Sequence, residues 1–159
     1  MTIVLDTSPL IFLNRLELLD KFLVRTSCYI PQAVYEEITI KEDETSQFLS
    51  KSLIEQKIVV QPIQLLTLAD RLKKRLGKGE AEALTLALEL QASYVILDDF
   101  AGRQEALRLR LKPKGTLAIA KKLQQEGEIV IDDLDLFYER LISIGFRVKR
   151  SLFDKIFHE

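Results

Sequence analysis

The sequence predicts an α/β domain of three layers, in which helices cover both faces of a short central parallel sheet and the C-terminal region is helical. Three observations predict this fold class: short apolar runs bounded by polar residues or proline, longer segments of helical period between them, and helical periodicity alone from Leu117 onward. Strands that alternate with helices pair in parallel through right-handed crossovers. The predicted strands are residues 3–5, 27–30, 58–60 and 94–97.

Each predicted helix repeats apolar residues at a helical spacing, as Leu16, Leu19 and Leu23 do early in the chain. Pro31 suits the first turn of the helix that follows the second strand, and Gly145 suits the position just after a helix end. The predicted helices are residues 16–23, 32–40, 48–54, 65–76, 81–90, 117–125, 134–144 and 149–157. Because the chain has 159 residues and no linker-like stretch, residues 1–159 are predicted to form one domain.

The composition excludes several kinds of chemistry. Cys28 is the only cysteine, so an intramolecular disulfide is impossible, the residue is predicted to be a small buried hydrophobe, and a cytoplasmic location is expected. No apolar run approaches the ~20 residues of a membrane-spanning helix, so no membrane association is expected. The only histidine, His158, stands one residue from the end, which nearly excludes a Ser-His-Asp triad or a histidine-rich zinc site.

Acidic residues follow the predicted strands or open the helices behind them, at the edge of a parallel sheet where ligands bind. They are Asp6, Glu36, Glu37, Glu80, Glu82, Asp98 and Asp99. Carboxylates packed together repel one another and are costly to keep ionised unless a hard divalent cation neutralises them. Mg²⁺ and Mn²⁺ prefer such oxygen ligands, so the pattern favours a metal site. The competing interpretation of Asp6 is that a single Asp at a strand end is only a helix N-cap.

Helical periodicity separates the paired glutamates. Glu80 falls on the face of Leu84, which is predicted to point inward, whereas Glu82 falls on a face that is predicted to be solvated. Glu37 stands three residues after the apolar Val34 and is therefore preferred to Glu36.

The motifs around these acids resemble those of a known family. Residues 6–11 (DTSPLI) resemble the opening of PIN domains, a metal-dependent nuclease fold that includes the VapC-like toxins. The resemblance spans nearly the whole chain, and the order and spacing of its motifs are more specific than any one of them. The other similar segments are Pro31 with Val34 and Glu37, residues 77–84, residues 96–99, residues 115–117 (GTL) and residues 145–146 (GF).

The resemblance implies a catalytic set of four metal-facing acids that binds Mg²⁺ or Mn²⁺. Carried over residue by residue, these are Asp6, Glu37, Glu80 and Asp98, with the choices between Glu80 and Glu82 and between Asp98 and Asp99 left open. Ser8 resembles the small hydroxyl residue that follows the first acid and helps to bind a metal-bound water or a phosphate.

The basic residues bear on whether RNA is the substrate. The net charge is −1, but setting aside four metal-facing acids from the 24 Asp and Glu leaves 20, against 23 Lys and Arg. Thr116, like Ser8, is a candidate for positioning water or a phosphate oxygen, and Arg103 is a candidate phosphate contact. Two basic clusters flank the acid-bearing segments: Arg71, Lys73, Lys74, Arg75 and Lys78, and then Arg103, Arg108, Arg110, Lys112 and Lys114.

The sequence interpretation is therefore a Mg²⁺- or Mn²⁺-dependent endoribonuclease, acting as the toxin of a toxin–antitoxin pair. The resemblance implies a small antitoxin protein and a homodimer as partners, and Leu152, Phe153 and Ile156 are predicted to be exposed apolar residues that serve the dimer. The alternative is a degenerate PIN module that binds RNA or a protein without cutting. A haloacid-dehalogenase type of phosphatase is disfavoured, because residues 6–8 read Asp-Thr-Ser rather than Asp-x-Asp. A receiver-like signalling domain is disfavoured because only Asp6 follows the first strand.

Overall fold

The computed structural model describes residues 1–40 and 55–158 of the chain. Five strands form one sheet in the order β3-β2-β1-β4-β5, and every neighbouring pair is parallel. The predicted α/β class and parallel sheet are therefore confirmed. The strands are β1 Thr2–Leu5, β2 Ser27–Ile30, β3 Ile58–Val60, β4 Tyr94–Ile96 and β5 Pro113–Lys114.

The described residues contain nine helices, and seven of them begin and end within four residues of a predicted helix, whereas the first and the sixth were not predicted. The predicted helix at residues 48–54 lies outside the described residues. The helices are α1 Thr7–Arg15, α2 Leu19–Leu23, α3 Gln32–Thr39, α4 Leu66–Leu72, α5 Lys78–Leu90, α6 Phe100–Arg108, α7 Thr116–Gln125, α8 Leu134–Ser143 and α9 Arg150–Phe157. Gly145 follows the end of α8 with φ +92°, the left-handed conformation expected after a helix end.

The sheet separates two hydrophobic cores, because successive side chains of a strand point to opposite faces. Ile3 and Leu5 of β1 pack into a core with α1, α2, α7, α8 and α9, whereas Val4 packs into a core with α4, α5 and α6. All three side chains are at most 1% exposed. The molecule therefore has the three predicted layers, and β1 lies in the middle of the sheet with β2 and β4 on either side.

Three local predictions were wrong. The helix predicted at residues 16–23 begins only at Leu19, because Glu17 adopts φ 60° and separates α1 from α2. Phe153 is fully buried against Phe137 and Phe157 rather than exposed, and Ile156 is half-buried against the same core, although Leu152 is 52% exposed. Strand β5 was missed because it has only two residues, one of them a proline.

Cys28 is 1% exposed in β2, as predicted for a small buried hydrophobe, and burial raises the pKa of its thiol to about 11. No helix among the described residues combines the length and the apolarity needed to cross a membrane.

Candidate metal centre

Asp6 lies at the carboxyl end of the central strand, where its backbone N–H donates to the carbonyl oxygen of Ile96 at 3.0 Å. It occupies the N-cap position of α1, but its side chain makes no capping hydrogen bond, so the N-cap interpretation does not account for the carboxylate. The residue is only 6% exposed. Burial raises the pKa of Asp6 to about 7; the Thr7 amide opposes this rise, and nearby carboxylates add to it.

Glu80 lies in the first turn of α5 and is partly buried. Its Oε2 atom is buried and has no hydrogen-bond partner among the described residues. Burial raises the pKa of Glu80 to about 7, and the charges of Asp6, Asp99 and Glu37 add to the rise. Gly102 of α6 makes room for this carboxylate, since a Cβ atom there would lie 2.9 Å from Glu80 Oε2.

Glu37 is held by donors from two other helices. The hydroxyl of Thr7 donates to Oε2 at 2.5 Å, and the backbone N–H of Gly79 donates to Oε1 at 3.1 Å. A Cβ atom at position 79 would lie 2.4 Å from Glu37 Oε1, so the missing side chain of Gly79 lets the carboxylate reach the first turn of α5. These contacts join α1, α3 and α5 beside Asp6.

Asp98 follows β4 and is held at the N-terminus of α7. The backbone N–H of Thr116 donates to Oδ1 at 2.8 Å, and the Thr116 hydroxyl donates to Oδ2 at 2.6 Å. Burial raises the pKa of Asp98, while the two hydrogen bonds from Thr116 and the charge of Arg103 oppose the rise. Gly115 leaves space for the carboxylate, because a Cβ atom there would lie 2.9 Å from Asp98 Oδ1.

Asp99 is the exposed member of the pair and caps α6, with its Oδ2 accepting from the backbone N–H of Gly102 at 3.0 Å. The sequence left open which of the two aspartates faces the metal. In the structure, the charges of both raise the pKa of Asp6, and Asp99 also raises that of Glu80. Both aspartates therefore belong to the acidic edge.

The two remaining glutamates lie elsewhere. Glu82 is 7% exposed, and its Oε1 accepts from the backbone N–H of Ala33 at 3.1 Å, at the N-terminus of α3. The predicted solvated face for Glu82 was wrong because α3 packs directly on α5. Glu82 therefore accepts a hydrogen bond from a free backbone N–H group at the N-terminus of α3, where the partial positive charge of the helix end favours a carboxylate. Glu36 is exposed, with Lys78 Nζ 3.8 Å from its carboxylate.

The donor set of this edge fits a hard divalent cation. Asp6 and Glu80 are both buried at least in part and carry raised pKa values, and the Oε2 atom of Glu80 is a buried carboxylate oxygen without a partner among the described residues, which is costly. Among the described residues, no three acidic side chains already converge on one point. Glu37, Asp98 and Asp99 each have hydrogen-bond partners of their own.

The three predicted substrate-binding residues have different surroundings. Ser8 and Arg103 are exposed and line an open groove of about 860 Å³ that begins at Asp98 and Asp99. Thr116 is fully buried and donates its hydroxyl to Asp98, so in this arrangement it positions that carboxylate rather than facing the groove. Sequence reasoning missed Arg147, which also lines the groove; its only signal was its place beside the GF motif at residues 145–146.

The basic clusters are less available to bind phosphate than the sequence indicated, because several of their side chains are paired with carboxylates. Arg75 and Arg108 both contact Glu105, at 3.0 and 2.6 Å. Lys73 pairs with Asp70 at 3.6 Å. Exposed ion pairs of this kind contribute little to stability, but they reduce the local positive potential.

A parallel sheet with a carboxylate-lined edge defines a class of α/β proteins with a candidate divalent-metal centre. Residues 2–159 match the family model DUF3368, described as a PIN domain, so the chain belongs to the PIN-domain family, whose members are typically metal-dependent nucleases. A PilT N-terminus domain protein from the hyperthermophilic archaeon Sulfolobus solfataricus P2 is similar in structure, with a TM-score of 0.48 and 16% sequence identity over 84% of this chain and 99% of that one. No curated protein matches this sequence significantly.

Proposed function

We propose that the protein is a Mg²⁺- or Mn²⁺-dependent endoribonuclease that hydrolyses phosphodiester bonds of RNA. The observation that carries the proposal is the pairing of Asp6 and Glu80, two carboxyl groups of raised pKa, one of which has a buried oxygen with no hydrogen-bond donor. The family supports a metal-dependent nuclease, and the absence of a suitably placed histidine fits chemistry carried by carboxylates and metal.

Asp6 and Glu80 would hold the ion, with Glu37 and the Asp98–Asp99 pair completing its surroundings. A divalent cation at such a site supplies a water ligand of lowered pKa and neutralises charge that develops on the phosphoryl oxygens. The chain's own contribution is positional. Thr7 and Gly79 fix Glu37, and Thr116 fixes Asp98, so each acid is oriented before substrate arrives.

The groove beside Asp98 supports RNA as the substrate. Ser8, Arg103 and Arg147 all line this groove. The Ser8 hydroxyl and the two guanidinium groups can donate hydrogen bonds to phosphate oxygens. Phe146 and Leu152 supply apolar surface in the same groove, which suits the sugar and base of a nucleotide.

We further propose that the enzyme is the toxin of a toxin–antitoxin pair, with a small antitoxin protein as partner, and that it acts as a homodimer. The resemblance to VapC-like toxins supports the toxin role, the antitoxin partner and the homodimer. Expression of the chain alone should arrest growth, and co-expression of the antitoxin should relieve the arrest. Normal growth during expression of active enzyme would contradict the toxin role.

The nuclease proposal is tested by incubating purified protein with single-stranded RNA in Mn²⁺. Wild type should cut the RNA and EDTA should stop it. Asp6→Asn and Glu37→Gln should each lower the rate about 100-fold or more, because each removes a charge from the metal-facing set. Glu36→Gln is the matched control, since this exposed neighbour of Glu37 pairs with Lys78 rather than with the acids of the site, and it should cut at the wild-type rate.

Cleavage by Asp6→Asn at the wild-type rate would contradict the metal-site mechanism. If wild type and every variant bind RNA without cutting it, the chain is instead a degenerate PIN module.

A further inference from the structure

A second concave site opens beyond the acidic edge. It is a cavity of about 400 Å³ beside Tyr94, and its wall includes Lys114, Lys121 and Lys122. No Asp or Glu is among the described residues that line it. Three ammonium groups around one cavity repel one another, so the cavity is suited to an anionic ligand.

Aromatic rings and one backbone carbonyl, rather than carboxylates, hold these lysines in place, since Lys121 Nζ also donates to the carbonyl oxygen of Phe157 at 3.4 Å. The Nζ atoms of Lys114 and Lys122 lie 5.4 and 5.9 Å from the centre of the Tyr94 ring, and that of Lys121 lies 5.7 Å from the centre of the Phe157 ring. Among the described residues, neither Lys114 nor Lys121 has a carboxylate within ion-pair distance, and Lys122 has only Glu126 at 4.0 Å. Cation–π contacts orient an ammonium group but leave its charge uncompensated.

The cavity continues into the groove that begins at the acids. Lys114, Ala118 and Ile156 line both, so the two form one concave path between α7 and α9. Tyr94 lines the cavity and Asp98 lines the groove, and the stretch of chain from Tyr94 to Asp98 spans roughly 13 Å. A polymer with repeated negative charges can occupy both ends of such a path, whereas a small anion can occupy only one.

We propose that Lys114, Lys121 and Lys122 form a second RNA-binding subsite, which holds phosphates of a single strand several nucleotides from the bond that is cut. This proposal rests on the proposed function for its RNA, but the subsite lies apart from the acids. The lysines supply phosphate contacts, and the apolar residues of the path contact sugars and bases. A long RNA therefore reaches the subsite, and a very short one bound at the acids does not.

The test measures binding of fluorescently labelled single-stranded RNA in EDTA, with oligonucleotides of about twenty nucleotides and of two nucleotides, the second too short to span the roughly 13 Å to the subsite. For Lys121→Gln with Lys122→Gln, the Kd of the long RNA should rise about five- to tenfold, and the slope of log K against log salt should fall by about 1.4, the value for two single-strand phosphate contacts. The Kd of the short RNA should stay within twofold. Replacing both lysines with Arg should keep binding of the long RNA within twofold.

The matched control is Lys57→Gln with Arg140→Gln, which removes the same charge from two side chains that lie outside both basic clusters and line neither the cavity nor the groove. Its Kd for the long RNA should change by less than twofold. An equal loss in this control, unchanged binding by the Lys121 and Lys122 variant, or a change in its molar mass by light scattering would overturn the proposal. If that variant unfolds, Lys114→Gln should lower the salt slope by about 0.7 instead.

The two proposals fail in different ways. Binding that depends on these lysines without any RNA cleavage by wild type would overturn the nuclease proposal and leave the subsite. Cleavage by wild type together with unchanged binding in the lysine variant would overturn the subsite alone.

Discussion

Burial raises the pKa of Glu80 to about 7, and Asp6, whose own pKa is also about 7, is the strongest of the neighbouring charges that add to the rise. The two residues come from different parts of the chain, since Asp6 directly follows the central strand and Glu80 lies in the first turn of α5. Without a cation, the pair resists holding two negative charges near neutral pH. The fold therefore maintains a charge arrangement that is unfavourable by itself, as is common at functional sites.

The stability of the metal-free protein should fall as the pH rises from about 5 to 8. The pKa values of Asp6 and Glu80 are about 7 in the folded state, above the ordinary values of 3.8 and 4.5. At a pH between the ordinary value and about 7, the folded state therefore binds more protons than the unfolded state. The extra stability that the folded state gains by keeping these two carboxyl groups protonated is fully present below about pH 4 and is lost as the pH rises through about 7.

For Asp6, this change corresponds to a loss of roughly 2–3 kcal/mol in the free energy of unfolding. Urea unfolding in EDTA across this pH range checks it. Asp6→Asn should remove roughly half of the dependence, because Glu80 retains its own buried and raised pKa, and the variant should be more stable than wild type at about pH 8. A wild-type stability that rises with pH over this range would contradict the assignment.

Gly79→Ala should lower RNA cleavage at least tenfold while leaving the fold intact. The added Cβ would lie 2.4 Å from Glu37 Oε1, and the end of this flexible side chain can move away at little cost in stability. Alanine also favours the helix by about 1 kcal/mol, so the melting temperature should not drop.

Gly77→Ala is the matched control on the other side of Lys78. The Cβ atom added at Gly77 would lie 3.7 Å from Glu80 Oε1, its nearest neighbour, which is an ordinary van der Waals distance. Its cleavage rate should stay near the wild-type rate. Equal cleavage by the two alanine variants would show that the position of Glu37 does not matter.

Thr116→Val should lower the rate about tenfold and shift the pH–rate profile towards higher pH. Valine keeps the shape but cannot donate the 2.6 Å hydrogen bond, which is one of the interactions that keep the pKa of Asp98 from rising further. Thr116→Ser retains the hydroxyl and should keep the wild-type profile. A profile that is the same in all three proteins would mean that this hydrogen bond does not tune Asp98.

The sequence predicted the sheet well because its strands are short apolar runs with clear ends. Asp6 and Asp98 follow two neighbouring strands at the same edge of the sheet, as parallel pairing requires. Glu82 shows the limit of periodicity. The prediction that Glu82 lies on a solvated face assumed that one side of α5 is exposed to solvent, but α5 is covered by α3 and α4 as well as by the sheet. Burial on several sides depends on tertiary packing, which a single helix pattern does not contain.

Other features had no local signal at all. Strand β5 exists because Val95 and Leu97 of the neighbouring segment donate their N–H groups to the carbonyl oxygens of Lys112 and Lys114, and no propensity of a Pro-Lys pair predicts this. Likewise, Phe153 has an apolar spacing that suits either a dimer or the core, and only the packing of α8 against α9 shows that it lies in the core.

Binding of Mn²⁺ to Glu80→Gln and Glu82→Gln, compared with wild type, tests the central claim most directly. The two glutamates stand two residues apart on α5, but Glu80 lies with Asp6 and Glu82 with the N-terminus of α3. Titration followed by the electron paramagnetic resonance signal of free Mn²⁺ should show at least tenfold weaker binding for Glu80→Gln and unchanged binding for Glu82→Gln. Wild-type affinity in Glu80→Gln, or equal loss in both variants, would contradict a metal centre built on Asp6 and Glu80.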